Sequence, residues 1–444
     1  MRGRRRRTLP SGSTEANKLP DLPEEIIIEI IVRLPRNSVA RSKCLSKRWY
    51  TLISNPDFLA RFLSLQSEMK PPLENGMIFT DYNSEKYSSF TAMSQLPKSV
   101  KHRLGKRGSC TVLATYNDLV LCFRDHYYNI CNLHTMQCVA LPPTLPHHDE
   151  LKIAEVGLIC EPYYKEQNGS TSRTIILNDE YKCRVVLIYE FSGYSKKICI
   201  DIFFSETGEW REYVVICPTS AREYCSIDNG AAKRSYNNSG GLAYNGKLYW
   251  LGEAGIMELD PMACDSNTSS RNLIDRGCRF IQFQTFGNPM LGKRFLGVCR
   301  GCMCLMSCLD RYNFEIYKLE SGDDDQLDGG KWCFTLATQW CMPLNRRTGA
   351  LWVLSLDPFI EDCFYLISMS GYFGKCYMRT GVIEYNSVKR CHGFGYRDSF
   401  GAFPFVLPWW PTPVPRIKHD PRQPAVQNGI DILCSLLLDR SIMV

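Results

Sequence analysis

The chain lacks any apolar run long enough to cross a bilayer. A membrane helix needs about 18–20 such residues in succession. The best stretches, EEIIIEIIVRL and DILCSLLL, are short or broken by charge. An apolar leader core is also missing, because MRGRRRR is followed by the polar TLPSGSTEANKLPDL. There is no G-x-S-x-G elbow, no phosphate-cradling G-x-x-x-x-G-K-S/T and no dinucleotide fingerprint. Histidines number seven and are scattered. His147 and His148 are adjacent in a Pro-rich loop, where they do not readily share one metal. The acidic pairs Glu24–Glu25 and Glu361–Asp362 read as a helix start and a turn. These absences leave no catalytic set, no metal and no cofactor in the reading. They favour a soluble, reducing, intracellular setting, nucleus and/or cytoplasm, in which the 22 cysteines act mostly as small buried hydrophobes.

Broad basic surface is scarce too. The formal net charge is +7, and five arginines of it sit together at Arg2, Arg4, Arg5, Arg6 and Arg7. The rest is nearly balanced, which argues against a nucleic-acid-binding body. The run itself reads as a nuclear localisation signal or as a solvated tail. Binding of nucleic acid through that tail would depend on salt and vanish with residues 1–8.

What is present starts at LPDLPEEIIIEIIVRLP. Asp21 is placed to cap a helix, Pro23 suits its first turn, and Glu24 and Glu25 complement its positive end. Leu22, Ile26, Ile27, Ile30, Ile31 and Leu34 follow helical spacing, and Pro35 stops the run. That apolar set is too wide for one buried face. Ser38 is placed to cap a second short helix running through Cys44 and Leu45, Ser46 a third, and Asn55–Pro56 opens a fourth with Phe58, Leu59, Phe62 and Leu63. Val39, Leu45, Trp49, Leu52 and Ile53 supply a minimal core. A unit of about 45 residues buries too little surface to be stable alone, so a partner should cover the excess.

The spaced pattern D-L-P-x-E, R-L-P, S-K-R-W and L-I-S-N-P-x-F resembles the F-box and runs nearly without gaps over residues 19–60. The resemblance implies that Leu22, Pro23, Ile26, Ile30, Leu34 and Pro35 face a Skp-type adaptor. Trp49 resembles the family tryptophan that packs between the helices and that adaptor. It further implies a non-catalytic subunit of a Skp–cullin–F-box ubiquitin ligase, joined through the adaptor to cullin and holding a target protein through the rest of the chain.

Beyond a Pro-containing stretch, helical periodicity gives way to short strand-like runs bounded by Gly, Asn, Asp or Pro. One unit recurs: CTVLATYNDLVLCFR then YYNICNLHTMQCVALPP; CRVVLIYEFS then ICIDIFFSETGEWREYVV; GGLAYNGKLYWLGEAGIMELDPM; GVCRGCMCLMSCL then FEIYKLES; LWVLSLDPFIEDCFYLISM then GVIEYNSVKRCHGF. The spacing is irregular, roughly 40–70 residues, the range of propeller blades with insertions. Five to seven blades are expected, with six as the reading, and the strand near Met77–Thr80 joining the last blade to close the ring. A β-sandwich or irregular β body is the alternative. The phrases FSETGEW and NGKLYW and the ending FVLPWWPTPVPRI resemble the F-box-associated domains of plant F-box proteins.

The fold class is therefore α+β and multidomain. Its parts are a basic disordered tail (1–18), a helical F-box (19–64), a linker (65–76), an all-β propeller-like domain (77–415) and a C-terminal tail (416–444). Residues 322–330, GDDDQLDGG, read as a solvated loop. Cys299 and Cys302 have zinc-type spacing, but VCRGCMCLMSCL alternates like two strands around Gly301, so Cys299, Cys302, Cys304 and Cys308 read as buried strand cysteines. Trp210, Tyr249, Trp250, Trp332, Trp340 and Trp352 read mostly as packing residues. A hydrolase built on the propeller is the competing function, and it would need a metal or an acid/base set in the central channel.

Overall fold

The computed structural model describes residues 23–69 except 44, 74–81, 91–92, 111–145 except 125, 133, 134 and 136, and 153–168. It also describes 173–189 except 179, 196–217, 240–264 except 253 and 254, 277–282, 294–309, 313–321, 332–341, 351–368, 373–385, and 400–417 except 409. The basic tail, Asp21, Leu22, Cys44, His147, His148, the 322–330 loop and the tail from 418 lie outside the described residues. The chain divides into two compact units: residues 1–70 with 166–177, and residues 71–165 with 178–444. No described helix is long and apolar enough to cross a membrane.

In the first unit, α1 (Glu24–Ile31) starts with Pro23 at the N-cap position, where no side chain caps it. Glu24 and Glu25 in its first turn complement the exposed N–H groups. α2 (Arg36–Ser42) starts at Pro35 rather than at the expected Ser38 and ends before Cys44 and Leu45. Proline has no N–H to satisfy and a φ already suited to helix entry, so it opens the helix three residues early. Ser38 then lies inside the helix, its carbonyl accepting from Ser42 Oγ at 2.8 Å. α3 (Lys47–Ile53) is capped as predicted, with Ser46 Oγ accepting from Trp49 N at 3.3 Å. α4 (Pro56–Met69) opens with Asn55 Oδ1 accepting from Asp57 N at 2.9 Å. It runs on to Met69, and the first strand begins at Glu74. The segment 65–76 read as a linker is thus mostly secondary structure. Its Leu65–Gln66 sequence continues the helix, and Gln66 Nε2 donates to the Val32 carbonyl at 3.5 Å.

The second unit is a β-propeller-like arrangement of antiparallel meanders. β1 (Glu74–Asp81) and β2 (Thr91–Ala92) come first. The first four-stranded blade holds β3 (Thr111–Tyr116), β4 (Leu119–Arg124), β5 (Tyr127–Asn132) and β6 (Cys138–Ala140). β7 (Ile153–Cys160) is followed by a separate hairpin, β8 (Tyr164–Asn168) and β9 (Arg173–Leu177), which from residue 166 on belongs to the first unit; β10 (Cys183–Tyr189), β11 (Lys197–Phe204) and β12 (Glu209–Ile216) then complete the second blade. The third has β13 (Leu242–Tyr244), β14 (Lys247–Leu251), β15 (Gly255–Leu259) and β16 (Cys278–Gln282). The fourth has β17 (Arg294–Cys299), β18 (Cys302–Cys308), β19 (Asn313–Ser321) and β20 (Trp332–Cys341). The fifth has β21 (Leu351–Leu356), β22 (Cys363–Ser368), β23 (Phe373–Tyr377) and β24 (Val382–Tyr385).

β25 (Phe400–Leu407) then returns to pair with β1, Glu74 opposite Leu407 through Asp81 opposite Phe400. The first strands β3, β7, β13, β17 and β21 lie side by side in that order, and β25 packs between β21 and β3. Among the described residues, five four-stranded blades and the three-stranded sheet β2-β1-β25 therefore complete the circle. The strand around Met77 pairs with β25, the last described strand, in this separate sheet rather than joining the fifth blade as expected, and the four-stranded blades among the described residues number five rather than six.

Two-residue turns link first to second strands in the first, third and fourth blades. Asn245–Gly246 and Arg300–Gly301 both have positive φ (45° and 78°, 48° and 75°), the conformation that joins twisted strands with least strain. The phrase NLHTMQ joins β5 to β6, and SETGE joins β11 to β12.

Middle strands are apolar on both faces. Alternate residues of β10 point into different cores, Val185, Leu187 and Tyr189 toward the first blade, Val186 and Ile188 toward the third. β14 divides in the same way, with Leu248 and Trp250 on one side and Tyr249 and Leu251 on the other. β18 sends Met303 and Leu305 one way, Cys304 and Met306 the other. Trp250 is fully buried. Its indole lies against the inner strands where Gly157 and Gly241 leave room; a Cβ on Gly241 would stand 2.7 Å from Cε2 of the ring.

A strap follows β25. Asp118, in the β3–β4 turn, is fully buried; its Oδ2 accepts from Thr412 N at 2.9 Å and Asn132 Nδ2 at 2.7 Å. Asn132 Nδ2 also donates to the Thr412 carbonyl at 2.6 Å, and Tyr181 OH donates to that of Pro413. Val414 and Ile417 pack on the core shared by the first two blades. Burial raises the Asp118 carboxyl pKa, and the hydrogen bonds from Thr412 and Asn132 oppose that rise. The fold thus favours its protonated form, so this group's contribution is fully present at low pH and fades as pH rises through its folded pKa.

Trp250→Ala is expected to cost the β domain about 3–5 kcal/mol. Gly241→Ala should also destabilise it, although nothing is removed, and urea melts check both. Asp118→Ala should cost about 1–3 kcal/mol by stranding its two donors. The gap from wild type should be wider at mildly acid pH than at alkaline pH, read from melts at both.

Candidate functional site

α1 has two faces, each built from an i, i+4 pair. Ile27 and Ile31 are buried, with Val32 beside them. Ile26 and Ile30 are turned outward and stand 46% and 50% exposed. The helix thus carries one buried apolar face and one that is half in water.

The neighbouring helices extend this apolar surface. Pro23 and Pro35 are exposed, and Leu34 and Trp49 are half-buried. An ion pair between Arg48 and Glu24 at 3.6 Å brings the start of α3 to the start of α1. Both partners are largely exposed, so the pair locates the helices without adding much stability. Tyr50 is 59% exposed beneath the Lys43 ammonium, 5.9 Å from its ring centroid. Burial lowers the Lys43 pKa.

Of the seven residues predicted to face a partner, six lie among the described residues, and Leu22 lies outside them. Pro23, Ile26, Ile30 and Pro35 reach solvent, while Leu34 and Trp49 are partly covered. Leu45 was assigned to the core and is instead 68% exposed, because α2 ends at Ser42 and leaves it in the turn. Val39 and Ile53 form the predicted core, and Leu52 is half-buried. Tyr50 was not singled out. It follows Trp49 by one helical step and stands exposed where Trp49 is half-buried.

Beneath the helices, Phe58, Leu59, Phe62 and Leu63 of α4 are buried, Phe58 and Phe62 stacking with centroids 6.3 Å apart. Glu29 pairs with both Arg33 and Arg61, tying α1 to α4.

In the β domain, Cys299 and Cys302 face each other across the Arg300–Gly301 turn, and Cys304 and Cys308 lie further along β18. The strand placement holds for all four, but of the expected burial only Cys304 shows it in full: Cys302 is exposed at the turn, and Cys299 and Cys308 are half-buried. Burial pushes the Cys299 thiol up to about 11 and that of Cys304 to about 12, which holds both as thiols at neutral pH. Beside them lies a cavity of about 120 Å3. Its wall carries Glu361, whose two oxygens pair with Arg300 at 3.2 Å and Lys318 at 3.3 Å. Among the described residues no group of three or more His, Cys, Asp and Glu is placed to hold a metal.

Most described thiols are buried, including Cys160, Cys183, Cys217, Cys264, Cys363 and Cys376. One pair departs from the expectation of mostly buried, reduced cysteines: Cys131 and Cys138 form a disulfide across β5 and β6. Trp210, Tyr249 and Trp250 are packing residues. The side chains of Trp332, Trp340 and Trp352 lie outside the described residues.

Comparison with known proteins agrees with the geometry of the helical unit. F-box only protein 8 of Arabidopsis thaliana is 37% identical over 201 residues, 43% of this chain and 63% of its own. A second F-box protein of the same plant is 29% identical over 149 residues, 31% of this chain and 36% of its own. The chain thus spans less than two thirds of either curated relative. Among solved structures, apo AztD from Citrobacter koseri aligns over 72% of this chain and 84% of its own, at 9% identity and a TM-score of 0.34. That likeness is too distant to bear on fold or function. The F-box domain family model matches residues 19–61, the stretch that holds α1, α2, α3 and the start of α4, and the chain therefore carries an F-box domain at its N-terminal end.

Proposed function

We propose that this protein is a substrate-recognition subunit of a Skp–cullin–F-box ubiquitin ligase. The observation that carries the reading is the outward Ile26–Ile30 pair within the matched F-box. In this role a Skp-type adaptor covers Leu22, Pro23, Ile26, Ile30, Leu34, Pro35 and Trp49. Docking of a helix face into an apolar groove draws most of its energy from a few such desolvated side chains. Leu45 and Tyr50 add to the covered area. Arg33, Arg41, Lys47 and Arg48 are exposed on the same helical unit, a charge that would favour an acidic surface on the adaptor.

The β domain then holds the target. Such a subunit needs no catalytic residue of its own, because tethering the target beside a ubiquitin-charged enzyme raises effective concentration. The arginines from Arg2 to Arg7 fit a nuclear address in this reading.

Ile26→Asp with Ile30→Asp should weaken adaptor binding by roughly 30-fold or more, about 2 kcal/mol. Both side chains already face water, so helicity and the melting of the β domain should not change. Adaptor affinity is read by titration with the purified full chain. Undiminished binding by the double variant would overturn the proposal. In cells the same variant should gather undegraded targets, identified by proximity labelling against wild type.

A further inference from the structure

Three cysteines stand in a row on one face of the blade β3-β4-β5-β6. Register sets Cys131 on β5 opposite Cys138 on β6 and opposite Val120 on β4. Strand alternation puts Cys122 on the same face as Val120. The Cys122 thiol lies 3.8 Å from the Cys131 sulfur, one end of the Cys131–Cys138 disulfide. Cys122 is buried, and Cys138 is half-buried on the outermost strand. A thiol in contact with one sulfur of a disulfide is where exchange begins.

We propose that this row is an internal thiol–disulfide exchange site that uncovers Cys138 for modification by a small disulfide such as oxidised glutathione. Cys122 gives up its proton, and its sulfur bonds to that of Cys131. The Cys131–Cys138 bond breaks, and Cys138 leaves with the electron pair and takes up a proton. One S–S bond forms and one is lost, so this step needs no external oxidant. The Cys138 thiolate can then attack oxidised glutathione, forming a mixed disulfide and releasing one reduced glutathione.

The strand that carries Cys138 makes the step consequential. β6 has three residues, paired only from Asn129–Ala140 to Cys131–Cys138. Directly after it, the Pro142 carbonyl accepts from Trp210 Nε1 of the second blade at 2.9 Å. Moving the disulfide inward releases the covalent hold on β6 beside that contact, and a bulky adduct on Cys138 would disturb it.

Linkage mapping tests this on the full chain. The native protein is incubated with iodoacetamide, denatured in acid and cleaved with trypsin and chymotrypsin; cleavage after Arg124 separates Cys122 from Cys131. The expected result is a Cys122–Cys131 cross-link that grows with time as Cys138 becomes alkylated. In Cys122→Ser, Cys138 labelling should fall roughly tenfold or more. With oxidised glutathione in place of the alkylator, the adduct should appear on Cys138. A Cys131–Cys138 link that persists alone with Cys138 unlabelled would overturn the proposal. Equal Cys138 labelling in Cys122→Ser, or three thiols remaining after glutathione treatment, would do the same. Should that variant misfold, the wild-type linkage map decides by itself.

Discussion

The β domain depends on two-sided burial of its middle strands. β10, β14 and β18 carry apolar residues on both faces, so no blade can hide its own surface. Each face is covered by the next blade, and the requirement passes round the circle until β25 meets β3. The same constraint explains Gly157 and Gly241, which give up side chains so that Trp250 can lie against the inner strands. It also explains continuous runs such as CRVVLIY and CFYLIS, in which polar alternation is absent because neither face meets water.

The phrase FSETGEW shows how a recurrent sequence texture becomes local structure. Phe204 ends β11 against Arg184 on β10, whose guanidinium lies 4.3 Å from its ring centroid. Ser205 Oγ accepts from Cys183 N at 2.9 Å. Glu206 receives two hydrogen bonds from Arg184, both at 2.6 Å, and so neutralises a cation that is almost wholly buried. Truncating one partner would leave the other charged and unpaired in an apolar setting. Gly208 supplies the positive φ of 74° that turns the chain, and Trp210 returns to the core shared with the first blade.

Much of this was legible in the sequence because the controlling physics is local. Ser46 and Asn55 cap helices whatever surrounds them, and Arg300–Gly301 dictates a hairpin. Ser38 misled because Pro35 competes for the same helix start and wins by geometry. Leu45 looked like core because it is apolar, but a leucine just past a helix end is placed by where that helix stops. The linker reading failed because Leu65 and Gln66 continue a helix as readily as they leave one. The outward Ile26–Ile30 face was visible as an excess of apolar spacing around α1. The Cys122, Cys131 and Cys138 row was not, since it depends on register across three strands rather than on order along one.

The pairing of β1 with β25 bears on synthesis. Glu74 leaves the ribosome long before Leu407, its partner, has been translated. Through that interval β1 has only the short β2 beside it, and its other edge waits for β25. Contacts so distant along the chain slow folding, and unpaired strand edges invite association with other nascent chains. A reading frame that stopped before Phe400 would yield blades with sound individual sequences and a circle that never shuts. Such a product is a natural client of chaperones and of the degradation machinery.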